Sequence, residues 1–157
     1  QPQNRGKNPA NHIDFKNAAL VERMARSGSI VITGGGGGIP VYVDGEGMLQ
    51  PLEGVIDKDL ASAMIGARVK ADELYILTDV PYIYKDFRKP TQEVLEFLDY
   101  ADTMKYLEAG TFGEGSMAPK IRACLSFVEK GGQKAVITEA TKLEDRRYGS
   151  KITMHYD

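Results

Sequence analysis

Cysteine is nearly absent from this 157-residue chain: Cys124 stands alone, so neither an internal disulfide framework nor a cysteine-cluster metal site can form, in keeping with a reducing compartment. Histidine is almost as scarce, and His12 and His155 fall in a polar arm and a mixed tail where neither takes a catalytic or metal-binding role. Basic excess is missing as well: 20 Lys and Arg face 22 Asp and Glu, a net charge of −2, which argues against a surface that coats nucleic acid. Long apolar runs are lacking, because the longest uncharged stretch, 27–43, is interrupted by five consecutive glycines and Pro40. No membrane span is expected, and the chain reads as soluble and cytoplasmic. No signal peptide opens it, and Gln1 in place of Met reads as the start of a processed product or of a piece of something longer.

What is present is the composition of one ordinary domain, 42% hydrophobic and 27% charged, with glycine in excess at 17 residues. Residues 1–13 read as an arm or linker, rich in polar residues and broken by Pro2, Gly6 and Pro9. Asp14 is placed to cap a helix over 15–27, which Gly28 stops. The β-branched run 29–33 predicts a buried strand of a parallel sheet, followed at once by the glycines from Gly34 to Gly38. A small hairpin is expected from 41–43 and 48–50. An amphipathic helix follows Asp57, then a strand at 74–77, a loop-like stretch over 78–93, and a helix over 100–109. Met117, Ile121, Cys124, Leu125 and Val128 recur as one helical stripe, ended by Gly131 and Gly132, and 135–138 forms the third core strand, with one more short strand at 151–155. Strands alternating with helices imply an α/β sheet covered on both faces.

In such a sheet, ligands bind beyond the carboxyl ends of the strands, so the loops there are the candidate sites. Gly34, Gly35, Gly36 and Gly37 offer backbone N–H groups that can converge on an anion, or simply a flexible turn; no Gly-Lys-Ser/Thr of a Walker loop follows. Lys58 and Asp59 sit at a helix start, a pairing that suits phosphoryl transfer and equally suits a solvated cap with a surface ion pair. Ser116 is placed to cap the next helix, Met117 opens it, and Lys120 lies near its positive end, where a nucleotide phosphate or a neighbouring Glu would compensate the charge. Both lysines lie off the apolar stripes, so truncating either should leave thermal stability little changed. Thr78, Asp79 and Val80 leave the second strand beside Tyr82, Tyr84 and Phe87, a group able to bracket a purine and its ribose or to serve as core packing.

Taken together, the segments at 34–41, 55–62 (with Ile56-Asp57-Lys58-Asp59), 77–81, 89–90 and 115–120 (Gly-Ser-Met-Ala-Pro-Lys) closely resemble carbamate kinases, within the amino acid kinase superfamily, over about 22–138. The resemblance is to the carboxy-terminal half. Acetylglutamate, glutamate and uridylate kinases resemble it in the Thr-Asp-Val and Gly-x-Met-x-x-Lys regions but lack the Gly-Gly-Gly-Gly-Ile-Pro-Val and Ile-Asp-Lys-Asp segments. The family's amino-terminal half, with its own phosphate loop and a further lysine, has no counterpart here, and Tyr82 stands where Gly is common.

The resemblance implies a three-layer αβα sandwich with a mainly parallel sheet, incomplete in this chain, with 14–157 as the nucleotide-binding half. It implies exchange of carbamoyl phosphate and ADP with carbamate and ATP, the nucleotide carried with Mg²⁺ and no protein-bound metal. Lys58 and Lys120 would contact the transferring oxygens, Asp59 would orient the lysines, 78–84 with Ser116 and Met117 would hold the nucleotide, and the glycine run would line the transfer centre. The implied partners are the missing amino-terminal half or a homologous subunit, and a homodimer when complete. The alternatives are a non-catalytic nucleotide-binding module, an inactive fragment, or another member of the superfamily.

Overall fold

The computed structural model describes residue 15 and residues 17–34, 40–112 and 115–155. Asp14, the whole of the expected arm and Gly35, Gly36 and Gly37 lie outside the described residues.

Among the described residues four α-helices and eight strands follow in order: α1 (Ala18–Arg26), β1 (Val41–Val43), β2 (Leu49–Pro51), α2 (Lys58–Arg68), β3 (Glu73–Thr78), β4 (Ile83–Lys85), β5 (Glu93–Leu95), β6 (Phe97–Asp99), α3 (Tyr100–Glu108), α4 (Met117–Glu129), β7 (Lys134–Glu139) and β8 (Ser150–Thr153). The main sheet has the order β3-β7-β8-β6. Its β3–β7 and β6–β8 pairs are parallel, with Tyr75 opposite Val136, while β7–β8 is antiparallel. The class is the expected α/β one, with a mixed but mostly parallel sheet. β1 and β2 form the expected hairpin.

The long elements follow their sequence signals. The Asp57 carboxylate accepts from the Asp59 and Leu60 backbone N–H groups at 2.9 and 3.1 Å and so starts α2. On α4, Ile121, Cys124, Leu125 and Val128 are buried as the stripe requires, and Phe127 joins them. Helix α4 packs between α2 and α3 and onto β7, whose Ala135, Val136 and Ile137 are buried. Tight turns through Gly66 to Ala71 and through Gly131 and Gly132 join α2 to β3 and α4 to β7. Each helix therefore runs antiparallel to the strand that follows it, and the amino termini of α2 and α4 stand at the carboxyl edge of β3 and β7.

Three expectations fail. Residues 29–33 form no strand, and Ile30 and Ile32 are each 97% exposed. A β-branched run becomes a strand only when another strand offers it a ladder, and none of the described strands does. The stretch 78–93 is not all loop, since β4 pairs β5 antiparallel with Tyr84 opposite Val94, and β6 went unanticipated. Three-residue strands are too short to display an alternation. Helix α1 is shorter than 15–27, and the apolar stripe read there has no buried member.

The closest approach in the helical layer is at Phe127. A Cβ on Gly132 would lie 2.1 Å from its ring, and one on Gly66 would lie 3.1 Å away. The fully buried ring fills the space that these two glycines leave empty. Gly132→Ala is therefore expected to cost about 1–3 kcal/mol, read as a lowered denaturation midpoint, because the ring has no room to yield. Cys124 is buried in the same layer, and desolvation raises its thiol well above the ordinary value, the Asp59 charge adding to the push. It should stay unmodified by iodoacetamide in the folded protein at pH 8 and react at once in denaturant.

Candidate functional site

Asp57 caps α2, which puts Lys58 and Asp59 in the first turn and swings Asp59 inward. Asp59 is buried, and its Oδ2 accepts a hydrogen bond from Lys120 Nζ at 2.8 Å. Lys58 Nζ lies 3.7 Å from the same oxygen. One carboxylate oxygen thus gathers two ammonium groups from two helices. The side chains differ in access: Lys58 is 62% exposed, whereas Lys120 is 12% exposed. The arrangement is not the solvated cap with a surface ion pair that the sequence left open, and the anion that compensates Lys120 is Asp59.

This burial corrects the expectation that both lysines are thermally neutral. Removing Lys120 would leave a buried carboxylate with only the more distant Lys58, at a cost on the order of 1.5–3 kcal/mol. Lys58, mostly in water, has little to lose.

Ser116 holds the N-cap position of α4, but its hydroxyl makes no capping bond. Met117 is half-buried as the helix begins, and Pro119 falls in the first turn as expected. Thr78 ends β3, and its Oγ1 donates to Asp79 Oδ1 at 3.1 Å. Val80 is half-buried in the loop after it. Tyr84 lies on β4, its ring stacked on Phe87 with centroids 5.4 Å apart, and burial raises its phenol above the ordinary value. Gly34 has a φ of +73° and would meet Ile65 of α2 if it carried a Cβ. It thus places the start of the glycine run against the helix that bears Lys58 and Asp59.

The lysine pair at the helix starts and the Thr78 and Asp79 loop share the carboxyl edge of β3 and β7. Two hollows, of about 370 Å³ between α3 and α4 and about 310 Å³ beside Arg26, Lys70 and Gln133, contain none of the candidate residues. The charge pair, and not the concavity of the surface, marks the candidate site. Among the described residues no three His, Cys, Asp or Glu side chains gather as a metal site, and no helix is long and apolar enough to cross a membrane. Sequence reasoning missed Tyr148 and Ser150. The Tyr148 ring lies tilted against Tyr82 with centroids 5.0 Å apart, and Ser150 binds the backbone of Ile83, 67 residues earlier in the chain. No local pattern announces either contact.

Residues 5–139 match the amino acid kinase family. The chain is 41% identical over 143 residues to a carbamate kinase of Halobacterium salinarum, which spans 89% of this chain and 46% of that protein. It is 44% identical over 119 residues to one of Thermoplasma acidophilum, across 76% of this chain and 39% of that one. The chain thus spans less than half the length of these relatives. Among solved structures, carbamate kinase from Giardia lamblia bound to AMP-PNP superposes with a TM-score of 0.85 at 28% identity, over 91% of this chain and 51% of that one. The shared architecture is the three-layer αβα fold, present here in part. With this match over most of its length, and with its paired lysines at the carboxyl edge of a mostly parallel sheet, the chain belongs to the amino acid kinase family.

Proposed function

We propose that this chain supplies the nucleotide-side half of a carbamate kinase, which exchanges carbamoyl phosphate and ADP with carbamate and ATP. The observation that carries the reading is the convergence of Lys58 and Lys120 on one buried oxygen of Asp59 at the edge where phosphates would lie. In the ATP-forming direction, an ADP β-phosphate oxygen forms the new bond to phosphorus as the bond from phosphorus to the carbamate oxygen breaks. The charge at stake is carried by nonbridging oxygens throughout, so fixed cations and alignment supply most of the catalysis. Asp59 holds the lysines ready, and the two divide the labour: Lys120 is fixed, and Lys58 reaches out into solvent.

The loop 78–84 holds the nucleotide, with Tyr84 beside the base, Thr78, Asp79 and Val80 along it, and Ser116 and Met117 near the phosphates. The glycine run that starts at Gly34 would offer its backbone N–H groups to the transferring oxygens. Relatives about twice as long support a second half that brings the remaining acceptor-side groups. Magnesium fits as an ion that arrives on the nucleotide, because Mg²⁺ is commonly held by phosphates, water and one or two carboxylates and needs no protein cage.

Calorimetry with ADP on the folded chain should give a binding isotherm at up to millimolar concentration, and a flat trace would remove the nucleotide role. In the natural protein that contains this chain, Lys58→Ala and Lys120→Ala should each lower kcat for ATP formation by roughly 10²-fold, as when one preorganised charge stabiliser is lost. Only Lys120→Ala should also lower the melting temperature. Lys70, 72% exposed and in the turn beyond the far end of α2, is the control, and Lys70→Ala should leave kcat within about twofold. Nucleotide binding without any phosphoryl transfer in the natural protein would make the chain a binding module.

A further inference from the structure

The β4–β5 hairpin forms its own two-stranded sheet and joins the main sheet through no ladder on its β4 side. Yet β4 carries Tyr84 and receives the loop from Thr78, so something must fix it. At its open end Ile83 stands opposite Leu95. The Ser150 hydroxyl bridges these two partners: the Ile83 N–H donates to Oγ at 2.7 Å, and Oγ–H donates to the Leu95 carbonyl at 2.5 Å. Ser150 and Ile83 are both fully buried, so no water can replace either bond.

The bridge is itself held from below. Gly149 has a φ of +91°, and a Cβ there would lie 2.7 Å from the Ile137 carbonyl oxygen of β7. Only glycine lets β8 begin so close to β7, and that closeness puts the next residue under the hairpin. On the other side, the Tyr148 ring packs on Tyr82 at 5.0 Å. Residues 148–150 therefore grip 82–83 and 95 from the main sheet.

We propose that Ser150 is a positioning residue for nucleotide binding: its buried hydroxyl fixes Ile83, and with it the 78–84 loop and Tyr84. The proposal rests on the reading of that loop as the nucleotide loop. It predicts a loss that is specific to the nucleotide. The lysine pair is carried by α2 and α4 and does not depend on the hairpin, so chemistry at saturation should survive.

The test measures kcat and KM for ADP and for carbamoyl phosphate in the natural protein that contains this chain. Ser150→Ala should raise the ADP KM about tenfold, the scale of one lost buried hydrogen bond, and leave kcat at saturating ADP and the carbamoyl phosphate KM within about twofold. Ser150→Thr keeps the hydroxyl and should restore the ADP KM. An unchanged ADP KM in folded Ser150→Ala overturns the proposal, as does an equal rise in both KM values that the threonine variant does not reverse. Tyr84→Ala separates the two levels of the argument. If it raises the ADP KM while Ser150→Ala does not, the positioning role fails and the nucleotide loop stands; if neither changes it, both fall. Should Ser150→Ala not fold, Tyr148→Leu loosens the same grip without orphaning a buried N–H. It should raise the ADP KM several-fold, and no change there overturns the proposal equally.

Discussion

A carboxylate withdrawn from water must find cations or neutralise itself, and Asp59 is withdrawn. The candidate site is organised around that requirement. It demands an ammonium from a second helix, which fixes where α4 starts relative to α2. It also demands that the α2 backbone turn sharply enough to aim its first-turn acid inward, and the Asp57 cap secures this. Two ammonium groups share one carboxylate oxygen, so the hydrogen-bonding capacity of the lysines is not used up by Asp59 and is open to an anionic guest. An incoming phosphate would meet cations already in place and would not have to draw them from water.

The legible parts of the fold are those whose burial comes from elements within the described residues. β3 and β7 are six residues each, and their apolar runs match the strands expected at 74–77 and 135–138. The α4 stripe could be read because thirteen residues give nearly four turns of period. The run at 29–33 looked like these strands and is exposed, because pattern records a preference for burial and pairing, while the partner decides whether either occurs. The hairpin strands β4 and β5 are three residues each, below the length at which alternation can be seen.

The candidate site was legible to a different depth. Lys58, Asp59 and Lys120 were found because helix starts concentrate polar chemistry at places the sequence marks with caps and prolines. That Asp59 would be buried and hold both lysines could not be read, since the contact spans 61 residues. Ser150 was invisible for the same reason: a serine at the start of a short strand looks like any other until Ile83 and Leu95 arrive beside it. Gly34 was placed against α2, and Gly35, Gly36 and Gly37 lie outside the described residues.

Helices α2 and α4 touch at two levels: Asp59 with Lys120 at the site, and Gly66 with Phe127 deeper in the layer. Asp59 and Gly66 are seven residues apart, and so are Lys120 and Phe127, which places the two contacts about 10.5 Å apart along parallel helices. A methyl group added at Gly66 would meet the Phe127 ring at 3.1 Å, so ring or helix must give by a few tenths of an ångström. The same two helices carry the carboxylate and the ammonium, so the absence of a side chain at Gly66 lets them pack as closely at this level as the charge pair holds them at the site.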